Sequence, residues 1–264
     1  MNVDTRSTNW TWLKLLCLSL IATVIFEHSQ LDISISKLFY VNGQWLLEKG
    51  AQPYAFVFYD APKALLILLT IYLMIVLIIK YRWTQSAGSL LSTNSSINRA
   101  RFSKLVIPLS IREISYLLLV IMIVPTTIAT LKSVTYVSCP NHLILFGGDL
   151  PYLDLWHSMI ARTPAKCFPA AHASAGFSLY GLAFLPTWCK YRYRIFDIVT
   201  ALGWTMGGYK MLFGDHFFSH TLISMLLSLT IACALAHLFF KRSDESKNSQ
   251  FKPTKPTLAN PQKH

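Results

Sequence analysis

Three short polar stretches carry the residues of this chain best suited to phosphate chemistry: Lys132 to Pro140, Pro169 to His172, and Lys210 to His220. Each stands at the end of a long apolar run. A phosphoryl group is anionic and electrophilic, so a site that transfers it needs cations for its oxygens, a nucleophile for phosphorus and an acid for the leaving oxygen. Lys132 and Lys210 are candidates for the first task, and His172, His216 and His220 for the others.

Taken singly, these residues have plainer readings. A lysine at the end of an apolar run ordinarily snorkels to the interface, and a histidine at a helix entry is ordinarily structural. Their company makes the difference. Pro169-Ala170-Ala171-His172 reads as a helix start, with proline where an amide hydrogen is dispensable and with free N–H groups that favour an anion. The following small residues, Ala173, Ser174, Ala175 and Gly176, permit close approach of another helix. His216 and His220 are four apart and are expected to share a helix face. That spacing suits a His–His hydrogen bond, half of a zinc site, or a nucleophile held by a second imidazole. For a metal, His172, Asp215 and Cys167 are further candidate ligands, although no HExxH or CxxC pattern accompanies them.

The elements that must position these residues are membrane spans. Charged residues make up only 14% of the chain against 53% apolar, and the apolar residues are gathered into long runs. The net charge of +12 comes from Lys and Arg in the connections between those runs, where topology signals lie. No basic groove with interleaved aromatics is present, which argues against nucleic acid as a partner. Six spans are expected, at Trp10–Phe26, Pro62–Ile79, Ile111–Leu131, Ala171–Cys189, Ile195–Leu212 and Phe217–Phe240. No small-x-small cleavage site follows Phe26, so the first is expected to be an anchor. The fifth carries Asp197 and Lys210 near its ends.

Lys80, Arg82, Arg99, Arg101 and Lys104 separate spans two and three; Lys190, Arg192 and Arg194 separate four and five; Lys241, Arg242 and Lys247 follow six. The positive-inside rule puts all of these in the cytoplasm, with both termini, and turns the three polar stretches outward. The fold class expected is therefore an all-α membrane protein of six transmembrane helices, with a membrane domain over residues 1–242 and a disordered cytoplasmic tail over 243–264. Glu27–Ala61 is expected to lie along the outer surface as short amphipathic helices, and Ser86–Asn98 to form a flexible loop. Cys139 and Cys167 fall on the outer side and are candidates for one disulfide, whereas Cys17, Cys189 and Cys233 lie within spans or at their inner ends.

Lys132 followed by Cys139-Pro140, then Pro169-Ala170-Ala171-His172, then Lys210 with His216 and His220 resembles the three-part signature of the type 2 phosphatidic acid phosphatase superfamily. That signature is Lys-x6-Arg-Pro, Pro-Ser-Gly-His and Ser-Arg-x5-His-x3-Asp. The resemblance covers roughly residues 100–240. Cys139 stands where the family has arginine, Ala170 and Ala171 where it has serine and glycine, Tyr209 and Lys210 where it has serine and arginine, and His220 where it has aspartate. A divergent bacterial branch is similar at those places: Cys167-Phe168-Pro169 through Ser174 and Gly214 through Thr221 match it closely.

The resemblance implies a lipid phosphatase of the bacterial inner membrane with its site facing the periplasm. His216 is then the nucleophile that forms a phosphohistidine, His172 the acid for the leaving oxygen, and His220 the partner of His216. Lys132, Lys210 and the N–H groups of Ala170 and Ala171 hold the phosphate, and Arg162 or Lys166 is a candidate substitute for the missing arginine. The scheme requires no metal or other cofactor. The partners expected are the bilayer and a lipid substrate such as undecaprenyl diphosphate, phosphatidylglycerol phosphate, phosphatidate or a lipid A phosphate, with phosphotransfer a variant of the same chemistry. Two other readings are a metal-binding or transport protein using His172, His216 and His220, and a silent membrane scaffold.

Overall fold

The computed structural model describes residues 10–87 and 108–250. In chain order the helices are α1 (Thr11–Glu27), α2 (Leu31–Lys37), α3 (Ala61–Ala87), α4 (Ile111–Thr135), α5 (Leu155–Ala161), α6 (Ala171–Phe177), α7 (Arg192–Met211) and α8 (Phe218–Gln250). A π-helical turn, Phe56–Asp60, leads into α3, and 3-10 turns run over Ser178–Phe184 and Pro186–Tyr191.

Helices α4, α6, α7 and α8 pack into the centre of the bundle, with α1 laid along α8 and α3 against α4. Ile114, Leu117, Val120 and Val124 of α4 meet Phe177, Tyr180, Val199 and Ala232 in one buried cluster. Polar groups inside it are paired: the Tyr116 hydroxyl donates to the Ala232 carbonyl at 2.9 Å and the Tyr180 hydroxyl shares a 2.7 Å bond with Thr200. A capping box starts α4, the Glu113 N–H donating to Ser110 Oγ (3.2 Å) and the Ser110 N–H to Glu113 Oε2 (2.8 Å). The other Glu113 oxygen accepts the Thr187 N–H at 2.9 Å, tying the far end of the α6 segment to the start of α4.

Among the described residues, three stretches are long and apolar enough to cross a membrane: Phe56–Gln85, Ile111–His142 and Phe218–Phe240. Thr11–Glu27 and Leu31–Lys37, bent by 71°, make a fourth if they count as one span. Leu18, Leu20, Ile21 and Val24 on α1 and Leu65, Leu68, Ile71, Ile75 and Ile78 on α3 are exposed, an outward apolar surface suited to lipid. The expected fourth and fifth spans differ from simple apolar helices. In the fourth, Ser174 and Ser178 donate back to the carbonyls of Ala171 (2.7 Å) and Ala175 (2.6 Å), α6 tightens into 3-10 turns, and Pro186 begins another. At 1.5 and 2.0 Å per residue, α6 and the turn after it together cover roughly 25 Å. In the fifth, α7 carries Arg192, Arg194, Asp197 and Lys210 on twenty residues.

The outer connection also departs from the expected run of amphipathic helices. After α2 it forms a two-residue hairpin, Tyr40–Val41 against Gln44–Trp45, closed by Asn42 (φ 52°) and Gly43 (φ 81°). An Asn-Gly pair in the left-handed region is the turn that matches the twist of a tight hairpin. Helix α8 runs on to Gln250, into the stretch assigned to the tail. Arg99, Arg101, Lys104, the Ser86–Asn98 loop beyond Ala87 and residues 251–264 lie outside the described residues.

Small residues set the spacing of α6 and α7. A Cβ on Gly203 would stand 2.1 Å from the ring of the buried Phe177, and one on Gly176 would meet Met206 at 2.8 Å. Gly203→Ala is therefore expected to overpack this contact and cost about 1–3 kcal/mol. Gly208→Ala, on the same helix with nothing within 4 Å of the added carbon, is expected to be neutral or slightly stabilising. Thermal unfolding of both variants in detergent checks the contrast.

Candidate active site

The hairpin is the support on which the third polar stretch is folded. Trp45 lies where a side chain on Gly214 would go, 2.4 Å from the ideal Cβ position, and Gly214 has φ 71°. Space and backbone conformation both demand glycine there. The Leu47 N–H donates to the Leu212 carbonyl at 3.2 Å. Trp45, Tyr40 and Phe146 stack as an aromatic group, with ring centroids 5.2–5.4 Å apart, behind the turn that presents Asp215 and His216.

Backbone bonds and one covalent bond then join the three stretches. Cys139 and Cys167 form a disulfide with Cα atoms 5.3 Å apart. Beside it the Cys167 N–H donates to the Val137 carbonyl at 2.9 Å, and the Thr135 hydroxyl donates to the Phe168 carbonyl. The Asn141 N–H donates to the Gly214 carbonyl at 3.0 Å, and the Ala170 N–H to the His220 carbonyl at 3.2 Å. Lys132, His172 and His216 are thus anchored on backbone that is itself cross-linked.

The charges meet at Asp215. One carboxylate oxygen accepts Lys210 Nζ at 3.0 Å; the other accepts Lys49 Nζ at 3.2 Å and the Asn141 side-chain amide at 3.3 Å. Lys210 also lies 4.6 Å from the centroid of the Tyr59 ring and 5.0 Å from that of Phe213. On Tyr59 the His172 imidazole stacks, centroids 4.3 Å apart and planes inclined by 26°. His172 Nε2 lies 3.4 Å from the Phe58 carbonyl, which assigns the ring proton to Nε2 and leaves Nδ1 for exchange with a ligand. Lys132, half-buried at the end of α4, is within electrostatic reach of Asp215, Lys210 and Lys49.

His216 occupies the middle of this group and is only 5% exposed. Burial, then the positive charges of Lys132 and Lys210, push its imidazole down to about 3; the backbone of Cys167 opposes the shift, and His172 adds to it. The ring is therefore neutral at physiological pH, as a nitrogen nucleophile must be. It does not share a helix face with His220. The turn through Gly214 delays the start of α8 to Phe218, so His216 stands two residues before the helix. The two rings meet edge to face, 5.7 Å between centroids, and Nδ1 of each is buried without a hydrogen-bond partner. His220 is boxed instead by the rings of Phe168 and Phe217, at 5.2 and 5.3 Å.

Several expected roles change. The Ala170 N–H donates to the His220 carbonyl, so of the two alanines only Ala171, in the first turn of α6, is left to offer its amide to a ligand. Ala170 is the N-cap and Pro169 precedes it, outside the first turn. Lys166 is exposed over the Tyr136 ring at 5.0 Å, and Arg162 is exposed at the end of α5; neither has an ion pair among the described residues. Cys167 is bound to Cys139 and Asp215 to two lysines, and among the described residues no three His, Cys, Asp or Glu side chains group as metal ligands. Sequence reasoning passed over Lys49, Tyr59, Lys63 and Asn141. It also passed over Asp32, a buried carboxylate that accepts the N–H (2.9 Å) and hydroxyl of Ser219 and so fixes the first turn of α8 beside His220.

Two outcomes are expected. In the unfolded chain His216 titrates at about 6.5, so between about 6.5 and about 3 the unfolded state binds the extra proton. The stability this residue contributes is full above pH 6.5 and is lost as pH falls toward 3, by at most about 1.4 kcal/mol per pH unit. His216→Gln should make unfolding midpoints between pH 6.5 and 4 fall less steeply. Reduction of the Cys139–Cys167 bond should release the Phe168–His172 segment and lower the unfolding temperature; a Cys139→Ser, Cys167→Ser variant should be insensitive to reductant.

No curated protein and no solved structure matches this chain. A family model does. The model described as PAP2 superfamily matches residues 113–244, half the chain and all three stretches of the site. The chain belongs to the PAP2 superfamily, and the activity this supports is that of a phosphatase.

Proposed function

We propose that this protein is an integral-membrane phosphatase that removes a phosphoryl group from a lipid headgroup through a phosphohistidine on His216. The observation that carries the reading is a buried neutral imidazole set among Lys132, Lys210 and His172. Nδ1 of His216 is enclosed, so Nε2 is the nitrogen left to meet phosphorus. Its lone pair forms the N–P bond while the bond from phosphorus to the leaving oxygen breaks, and His172, which must first take a second proton from solvent on Nδ1 as the anionic headgroup binds, gives that proton to the oxygen. Water then attacks phosphorus with His172 accepting its proton, the N–P bond breaks, and inorganic phosphate leaves. Lys132 and Lys210 balance charge on the phosphoryl oxygens throughout, as point charges where arginine would be two-pronged.

A lipid is favoured because the histidines stand at the ends of apolar helices, where a headgroup can bind while its chains remain in the bilayer. Arg82, Lys190, Arg192 and Arg194 lie at the opposite ends of those helices, which supports a site on the outer face of a bacterial inner membrane. Phosphate release by purified protein from a panel of phosphorylated lipids, with and without chelator, tests the reading. Turnover should survive the chelator. His216→Ala should abolish both turnover and a trapped phosphoenzyme, and near wild-type hydrolysis by that variant in folded form would refute the mechanism. His172→Ala should lose less on an activated aryl phosphate, whose leaving oxygen needs little protonation, than on a lipid substrate.

A further inference from the structure

The proton donor of the proposed reaction stands among cations. Lys63 of α3, Lys132 of α4 and Lys210 of α7 all bear on His172, the imidazole of His216 lies within electrostatic reach, and among the described residues no carboxylate forms an ion pair with its ring. Each ammonium disfavours a further positive charge on that ring. A donor in such surroundings needs another group to favour its protonated form. It also needs to be aimed, because a proton passes only within hydrogen-bond reach of the leaving oxygen.

Both needs are met by two adjacent residues of the π-helical turn Phe56–Asp60. The Phe58 carbonyl lies 3.4 Å from His172 Nε2, and the Tyr59 ring lies nearly parallel to the imidazole, centroids 4.3 Å apart and planes inclined by 26°. The carbonyl accepts the Nε2 proton at the edge of the imidazole, which fixes its rotation and leaves Nδ1 for the reaction. The Tyr59 ring covers one face, which fixes the tilt, and its negative π face attracts the imidazole most strongly when that is protonated. Turns of this kind are rare and recur at functional sites. This one is anchored: Phe58 and Tyr59 pack on the buried Ala55, Tyr209 and Phe213, the last two flanking Lys210 in sequence. Lys210 Nζ itself lies 4.6 Å from the centroid of Tyr59, so one ring touches both the donor and a cation for phosphate.

Resting on the phosphatase reading above, we propose that the π-helical turn is a clamp for the proton donor, and that Tyr59 is a positioning residue that acts on the reaction through His172 by its ring face. In the first half of the reaction the proton on His172 Nδ1 passes to the leaving oxygen as the bond from phosphorus to that oxygen breaks. In the second half the same nitrogen takes a proton from the attacking water as the N–P bond breaks. The clamp takes no part in either bond change. It holds Nδ1 on the line of both transfers and favours the imidazolium between them.

The test measures kcat and KM for wild type, Tyr59→Phe and Tyr59→Leu on the lipid of the panel that wild type hydrolyses fastest and on p-nitrophenyl phosphate. Tyr59→Leu should lower kcat on the lipid by about tenfold at unchanged KM, as expected for loss of one desolvated cation–π contact. Its loss on p-nitrophenyl phosphate, whose leaving oxygen needs little protonation, should be smaller. Tyr59→Phe keeps the ring and should stay near wild type on both. Should Tyr59→Leu fail to fold in detergent, Tyr59→Met supplies the same comparison with a side chain that fills the gap more adaptably. An unchanged kcat in the non-aromatic variant overturns the clamp, as does a raised KM alone, which would assign the ring to Lys210, or an equal fall in kcat on the two substrates. A loss in Tyr59→Phe as large as in Tyr59→Leu overturns it too. Each of these leaves the phosphatase reading standing, whereas absence of wild-type turnover across the panel overturns both.

Discussion

The Asp215 carboxylate is the constraint on which the rest of the site depends. Three lysines brought together without it would repel one another, and at effective interior dielectrics a pair of unit charges about 4 Å apart interacts by about 4 kcal/mol. Asp215 turns that repulsion into structure. It joins Lys210 at the end of α7, Lys49 in the outer connection and Asn141 beyond α4, three segments distant in sequence. The Lys210 contact is the stronger, since both partners are 14% exposed, whereas Lys49 is 70% exposed and its pairing is worth little in energy. A phosphate entering beside Lys210 meets an ammonium already fixed in place, so little is spent on ordering it.

That arrangement bears on the substitution at His220. The family signature has an aspartate there, which can both orient the nucleophile and stabilise the positive charge that grows on it during attack. In this chain the partner is an imidazole among aromatic rings, without a hydrogen bond to His216. The two lysines and the burial that keep His216 neutral also disfavour charge on its ring. On the proposed mechanism, attack is then driven by the phosphoryl charge being neutralised, rather than by a carboxylate behind the nucleophile. The first makes phosphorus more susceptible and the second would make the nitrogen a better donor. The site has strengthened one while lacking the other.

Much of this was legible in the chain. Apolar runs and basic connections located the starts of α1, α3, α4 and α8 to within a residue, because a helix in lipid must be apolar over its length and basic residues are retained on one side, whereas α3 and α8 continue to Ala87 and Gln250, past the expected ends at Ile79 and Phe240. The spacing of Lys132, His172, Lys210 and His216 pointed to the candidate site, because each lies at or near the end of an element, where periodicity breaks. What escaped depends on contacts between segments. The i, i+4 pairing of His216 and His220 presumes that the helix has already begun, and the Gly214 turn packed on Trp45 prevents that. The Ala170 N–H looked free because a helix start leaves amides unpaired, and only the approach of α8 showed its acceptor. The Asn42-Gly43 hairpin was a local signal that the surrounding apolar and aromatic residues obscured.

The division between legible and illegible follows the division of labour in the molecule. Residues 113–244 carry the family match and hold every group given a part in the proposed chemistry: Lys132, His172, Lys210 and His216. The groups around them come from earlier in the chain. Lys49 meets Asp215, Tyr59 stacks on His172, Lys63 borders the same ring, Trp45 shapes the turn before His216, and Asp32 fixes the turn before His220. Chemistry on phosphorus is common to any phosphorylated substrate and suits a shared signature. The leaving group differs from one lipid to the next, so the residues that face it need not follow that signature. The segment before α4 is held to the catalytic half by packing, α1 along the helix that carries His220 and α3 against α4 and the helix that carries His172, and by the backbone bond from Leu47 to Leu212.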